Sequence, residues 1–218
     1  MDAGSERARV LPLVRMIARD FPDLMISVDT SKASVARSAL SEGAHMINDV
    51  RAAQGDPGMI PLLLETGAPC ILMHMRGEPR TMQDNPVYED VVAEVGGYLS
   101  SCRDHLVSRG YPAERVWLDP GIGFGKTLEH NLELLAGMGR LRALCSGTWL
   151  VGLSRKRSLG EISGEPHAAL RDPETLAAHL FLDGAVDVLR THEPGQTLRA
   201  MAVFRTLRKA KASSGNAD

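Results

Sequence analysis

VWLDPGIGFGKTLEHN, residues 116–131, changes character abruptly at Asp119. The residues before it form a short apolar run, the length and composition of a buried strand rather than of a surface helix. Pro120 disfavours helical geometry in the residue it follows. Gly121, Gly123 and Gly125 then permit a tight backbone path, one that suits a loop clasping a ligand. The stretch lacks the G-x-x-x-x-G-K-[ST] pattern of a Walker A loop. GIGFG resembles a dinucleotide fingerprint only superficially, because no acidic residue follows at a suitable strand end. Lys126 has two readings, reaching an anion or standing in solvent.

Working outward, the same design recurs five times: LMISVD (24–29), HMINDV (45–50), CILMHM (70–75), WLVGLS (149–154) and DVLRTH (187–192). With RVWLDP (115–120) these make six continuously apolar runs, each expected to be a buried parallel strand. Helical stretches follow them at 31–42, 58–65, 88–108, 128–136, 173–182 and 197–208. A leading amphipathic helix precedes them, with Val10, Leu13, Val14 and Ile17 on one stripe. No Pro- or Gly-rich linker divides the units, so one domain over residues 1–209 is expected, with a frayed tail at 210–218. A doubly wound sheet and a (β/α)8 barrel both fit this order. Nearly every run ends in a polar residue, and six strand ends serving one place favour the barrel, here two strands short.

The chain has 218 residues, with 25 Lys and Arg against 27 Asp and Glu. A net charge of −2 gives no general field for nucleic acid. No run of 18 apolar residues is present, and the N-terminus lacks a signal-peptide pattern, so a cytoplasmic protein without a membrane partner is expected. Cys70, Cys102 and Cys145 do not make a disulfide framework or a metal knuckle.

The strand ends carry the chemistry. Asp29 offers a carboxylate to a polar ligand, with Thr30 or Ser31 placed to cap the next helix. Asn48 and Asp49 stand where a buried strand should stay apolar; an inward amide can read the edge of a heterocycle, and Asp49 suits a supporting role. Met73 and Met75 can line a flat apolar ligand. His74 has no second ligand at metal spacing nearby, and Arg76 and Arg80 read equally as loop surface. Ser154, Arg155, Lys156 and Arg157 form a positive cluster at a strand end, suited to a phosphate or an electron-rich heteroatom. Arg190 and His192 share one side of an extended segment and make a seat for a diphosphate. Together these residues suit group transfer better than hydrolysis.

ISVDTSK, HMINDV, ILMHMRGEP, WLDPGIGFGKTLEHN, GLSRK and LRTH, in this order, resemble the motifs of the dihydropteroate synthase family. The resemblance implies a (β/α)8 barrel, dimeric through late helices. It also implies joining of a dihydropterin pyrophosphate to para-aminobenzoate with release of pyrophosphate, assisted by Mg2+. Carried over residue by residue, Asp29 contacts the pterin, while Asn48 and Asp119 read its polar edge. Lys156 bonds the ring and closes the site, and Met73 and Phe124 line the pocket. Ser154 stands near the aminobenzoate carboxylate, Arg190 near pterin and diphosphate, and His192 on the diphosphate. Asp29, Asp119 and Lys156 are the expected catalytic residues.

The family's metal-binding Asn and diphosphate-contacting Thr, which come from its first two strands, have no counterpart here, so no metal ligand is assigned. The last motif reads Arg190-Thr191-His192-Glu193 instead of Arg-Val-His-Asp. Intact strand ends lead to the expectation of an N-terminally shortened version, a misplaced start being one origin for it. A non-catalytic shortened homologue and a pterin-binding methyltransferase-type barrel are the alternatives.

Overall fold

A computed structural model describes residues 1–78 and 81–214. Six parallel strands lie in sequence order in one curled, open sheet: β1 (Ser27–Asp29), β2 (Met46–Asp49), β3 (Cys70–Met73), β4 (Val116–Asp119), β5 (Thr148–Gly152) and β6 (Val188–Arg190). Each expected run supplies one strand. The helices are α1 (Ala3–Asp20), α2 (Ala33–Ser41), α3 (Met59–Thr66), α4 (Val91–Val107), α5 (Leu128–Ala136), α6 (Met138–Leu144), α7 (Arg157–Ser163), α8 (Asp172–Phe181) and α9 (Pro194–Ser214). This is a (β/α)-barrel architecture with six strands of eight, left open between β1 and β6.

Side chains alternate across each strand, and this splits the sheet into two faces. Outward residues such as Val28, Ile47, Leu72, Leu118, Trp149 and Val151 pack against the helices in the main core. Inward residues Met46, Ile71 and Leu150, with Trp117 and Val188 against them, form a smaller apolar floor. Register fixes what stands above that floor: Asp29 aligns with Asn48, Met73 with Asp119, and Gly152 with Arg190. All six are the last inward-facing residues of their strands, so they form one rim at the C-terminal end of the sheet.

Four expectations change. Leu13 is 56% exposed, and Leu11 takes its place beside Val10, Val14 and Ile17 on the packed face of α1. Neither Thr30 nor Ser31 caps α2; Asp56, from the β2–α3 loop, accepts from Ala33 N at 2.9 Å. Thr30 instead donates to Glu6 of α1 at 2.5 Å, as does Lys32. Helix α6, seven residues long, lies outside the expected stretches, being short and Gly-containing, whereas α7 starts at the basic cluster. The expected tail from 210 is helical through Ser214; residues 215–218 and Arg80 lie outside the described residues.

Candidate active site

Asp119 is the most enclosed charged residue of the rim. It ends β4 in the middle of the sheet, and its side chain is 2% exposed. Gly121 N donates to Oδ1 at 2.8 Å. Gly121 has φ +68°, and a Cβ there would collide with the His74 carbonyl oxygen, so the turn closes only with glycine. Asp119 Oδ2 faces Arg190 Nη2 at 3.5 Å. The guanidinium reaches it by lying across Gly152, where a Cβ would stand 2.8 Å from Nε. Burial pushes the Asp119 carboxyl above its usual range, opposed by the charges of Lys156 and Arg190.

Asn48, buried on β2, donates from Nδ2 to Asp29 Oδ2 at 2.8 Å. Its Oδ1 is buried with no protein partner. An unmatched amide oxygen is costly inside a protein, and a ligand donor would relieve that cost. Asp29 lies on the edge strand and is exposed as a residue, yet enough protein surrounds its carboxyl that lost hydration raises it. Asp49 faces the other way. It accepts from Arg51 N and Ala53 N, which shapes the β2–α3 turn in the supporting role expected of it.

Beside the rim lies a cleft of ≈ 400 Å³, lined by Phe124, Lys126, Asn131, Lys156, Arg157 and Ser158 among others. Lys156 Nζ stands 4.6 Å from the centre of the Phe124 ring and donates to the Ile122 carbonyl. Burial lowers its pKa to about 8, opposed by Asp119. Arg157, at the start of α7, is exposed at the cleft's edge and pairs with Glu161 at 2.7 Å. Asn131, buried on α5, accepts from Gly123 N at 2.7 Å and holds the glycine turn from below.

The structure redistributes three other residues. Ser154 goes to His192 rather than to the cleft: its Oγ lies 2.9 Å from Nδ1 and accepts from His192 N at 3.3 Å. Arg155 is not available to an anion. It adopts φ +59° and grips Asp172 at 2.7 and 2.9 Å, with Glu193 at 3.2 Å. Lys126 is neither solvated nor reaching for an anion, but buried beneath the glycine turn. Met73, fully buried, stands beside Asp119 in register on β3, and His192 is exposed.

The sequence reading passed over Asn131 and the Ile122 carbonyl, and it named Arg157 only as one member of the basic cluster. Asn131 had a signal, a polar residue on the apolar stripe of a helix. The carbonyl had none.

The resemblance implies Mg2+. Among the described residues, no three His, Cys, Asp or Glu side chains converge on one point. Asp119 is engaged by Gly121 and Arg190, and Asp29 by Asn48. With both carboxylates engaged, the described residues make no Mg2+ cradle of their own.

Comparison with known proteins agrees with this geometry. The family model described as "Pterin binding enzyme" matches residues 1–192. Dihydropteroate synthase of Escherichia coli K12 is 40% identical over 207 residues, covering 94% of this chain and 72% of the relative. The Stenotrophomonas maltophilia dihydropteroate synthase structure, with imidazole in its active site, superposes with a TM-score of 0.90 at 37% identity, covering 95% of this chain and 78% of that one. The Thermus thermophilus enzyme, solved in complex with 6HMPPP, gives 0.87 at 40% identity, covering 95% and 81%. Fold and rim together define a pterin-binding barrel. Within that class the chain belongs to the dihydropteroate synthase family of transferases.

Proposed function

We propose that the rim seats a dihydropterin pyrophosphate and that the adjoining cleft seats para-aminobenzoate, the products being dihydropteroate and pyrophosphate. The observation that carries this reading is the pair of buried acceptors on one rim, Asn48 Oδ1 without a partner and, two strands along, Asp119, above an apolar floor. A flat heterocycle with ring N–H and amino donors on one edge satisfies both and stacks over Met73.

In the step itself, the C–O bond between the pterin methylene and the diphosphate breaks heterolytically. The electron pair leaves on the diphosphate oxygen, and positive charge grows on the pterin-methyl group. Asp119 and Asp29 favour that charge from fixed positions in a site partly shielded from water. Arg190 and His192, with Ser154 orienting the imidazole, receive the departing diphosphate. The arylamine lone pair then forms the C–N bond, and the nitrogen's surplus proton passes to water or diphosphate. No strong general base is needed.

For the second substrate, the Phe124 ring suits stacking of the aminobenzoate. The carboxylate falls to Arg157 and Ser158 rather than to Ser154, because those two line the cleft and Ser154 is taken by His192. Exposed Phe181, Leu198, Val203 and Leu207 on α8 and α9 support the homodimer that the resemblance implies. No helix among the described residues is long and apolar enough to cross a membrane, and a net charge of −2 gives no support to a nucleic-acid partner.

Incubation with both substrates, followed by mass detection of product and a coupled assay of released pyrophosphate, tests the proposal. Equimolar product and pyrophosphate are expected. Saturable pterin binding without either product would reduce the chain to a binding protein.

A further inference from the structure

Lys126 is buried to 3% exposure, and its partners are not carboxylates. Nζ lies 3.0 Å from the Gly121 carbonyl oxygen, 3.0 Å from that of Phe124 and 3.0 Å from His74 Nδ1. The His74 carbonyl is a fourth, longer contact at 3.5 Å; an ammonium carries three protons and no acceptor, so the three short bonds use it completely. Donation to Nδ1 leaves the His74 proton on Nε2. A planar guanidinium does not match three acceptors converging on one point.

Each partner is tied to the rim. Gly121 N donates to Asp119 Oδ1 at 2.8 Å. His74 N donates to the Asp119 carbonyl at 3.1 Å, and its ring packs edge-on against Tyr98 at 5.1 Å. Phe124 places its ring beside Lys156. The ammonium therefore joins the end of β3, the turn after β4 and both walls of the pocket. Saturated by protein acceptors, it has no proton left for a ligand.

We infer that Lys126, braced by His74, is a positioning residue that sets the Gly121–Gly125 turn and, through it, the orientation of Asp119 and Phe124 toward the pterin. The inference rests on the reading of the rim proposed above. It predicts that loss of the ammonium harms recognition of the heterocycle and spares recognition of the diphosphate, which depends on Arg190 and His192 instead.

Titrations with 6-hydroxymethyl-pterin and, separately, with inorganic pyrophosphate test it on the intact chain, beside thermal melts. Lys126→Met is expected to weaken pterin binding about 10- to 100-fold, the range of coupling between contacting groups. Pyrophosphate affinity should fall by much less, since His192 does not touch the turn and Arg190 meets it only through Asp119. His74→Leu should behave like Lys126→Met. His74→Asn, which keeps an oxygen acceptor near the position of Nδ1, should recover most of the loss. The Lys126→Met/Asp119→Asn pair should lose little more than Asp119→Asn alone. Unchanged pterin affinity in Lys126→Met overturns the inference. So do multiplicative losses in the pair, or equal loss of pterin and pyrophosphate with a lowered melting temperature. Should Lys126→Met not fold, His74→Leu against His74→Asn decides, equal affinities overturning it. Failure of the unaltered chain to bind pterin overturns both this inference and the reading beneath it, whereas pterin binding indifferent to Lys126 overturns this one alone.

Discussion

The middle of the sheet and its two edges treat the same kind of residue differently. On β4, flanked by strands on both sides, Asp119 is sealed, and its two oxygens meet Gly121 and Arg190. On β1, with a neighbour on one side only, Asp29 occupies the equivalent end position and is exposed. Arg190, on the other edge, is 42% exposed at its side chain. Strand position, rather than residue type, thus decides which rim group works in a shielded environment. The central strands supply a fixed, desolvated carboxylate; the edges supply groups that solvent and ligand can reach.

Core substitutions probe this contrast most strongly. Leu118→Ala empties a fully enclosed position behind Asp119 and should cost about 2–5 kcal/mol in chemical denaturation. Val28→Ala, on the edge strand, should cost about 1–2 kcal/mol, roughly 0.8 per methyl or methylene removed. Equal costs would show that the edge is as tightly held as the centre.

A smaller effect comes from pH. Asp49, on the strand next to the edge, is pushed up from 3.8 to about 6 because burial strips its hydration more than the Arg51 and Ala53 amides repay. Between those values the folded chain holds a proton that the unfolded chain has released. Stability therefore falls as pH rises from about 4 to 6, by roughly 3 kcal/mol at most. Denaturation midpoints across that window should show the fall in the unaltered chain and a flatter profile in Asp49→Asn. A profile that rises through the window would place Asp49 in a better-solvated setting.

Much of this was legible in the chain. Each apolar run closing on a polar residue became a strand, and Asp29, Asn48, Met73, Asp119 and Arg190 are the inward ends that a period of two selects. Their meeting at one rim follows from parallel order and short connections. The fate of Ser154, Arg155 and Lys126 was not legible. Ser154 bonds a residue 38 positions away, and Arg155 is claimed by an aspartate 17 positions on. Lys126 finds His74 at a separation of 52 and otherwise bonds carbonyl oxygens, which every residue carries and no pattern marks. Exposure of Asp29 was hidden for a related reason: a strand's neighbours are a property of the sheet.

The direct test is calorimetric titration of dihydropterin pyrophosphate into the unaltered chain, Asp119→Asn and Asp29→Asn. Saturation at one ligand per chain is expected, weakened about 100-fold by Asp119→Asn, within the range for a lost charged hydrogen bond, and no more than about ten-fold by Asp29→Asn. A chain that never saturates, or an Asp29 loss as large as that at Asp119, would contradict the account.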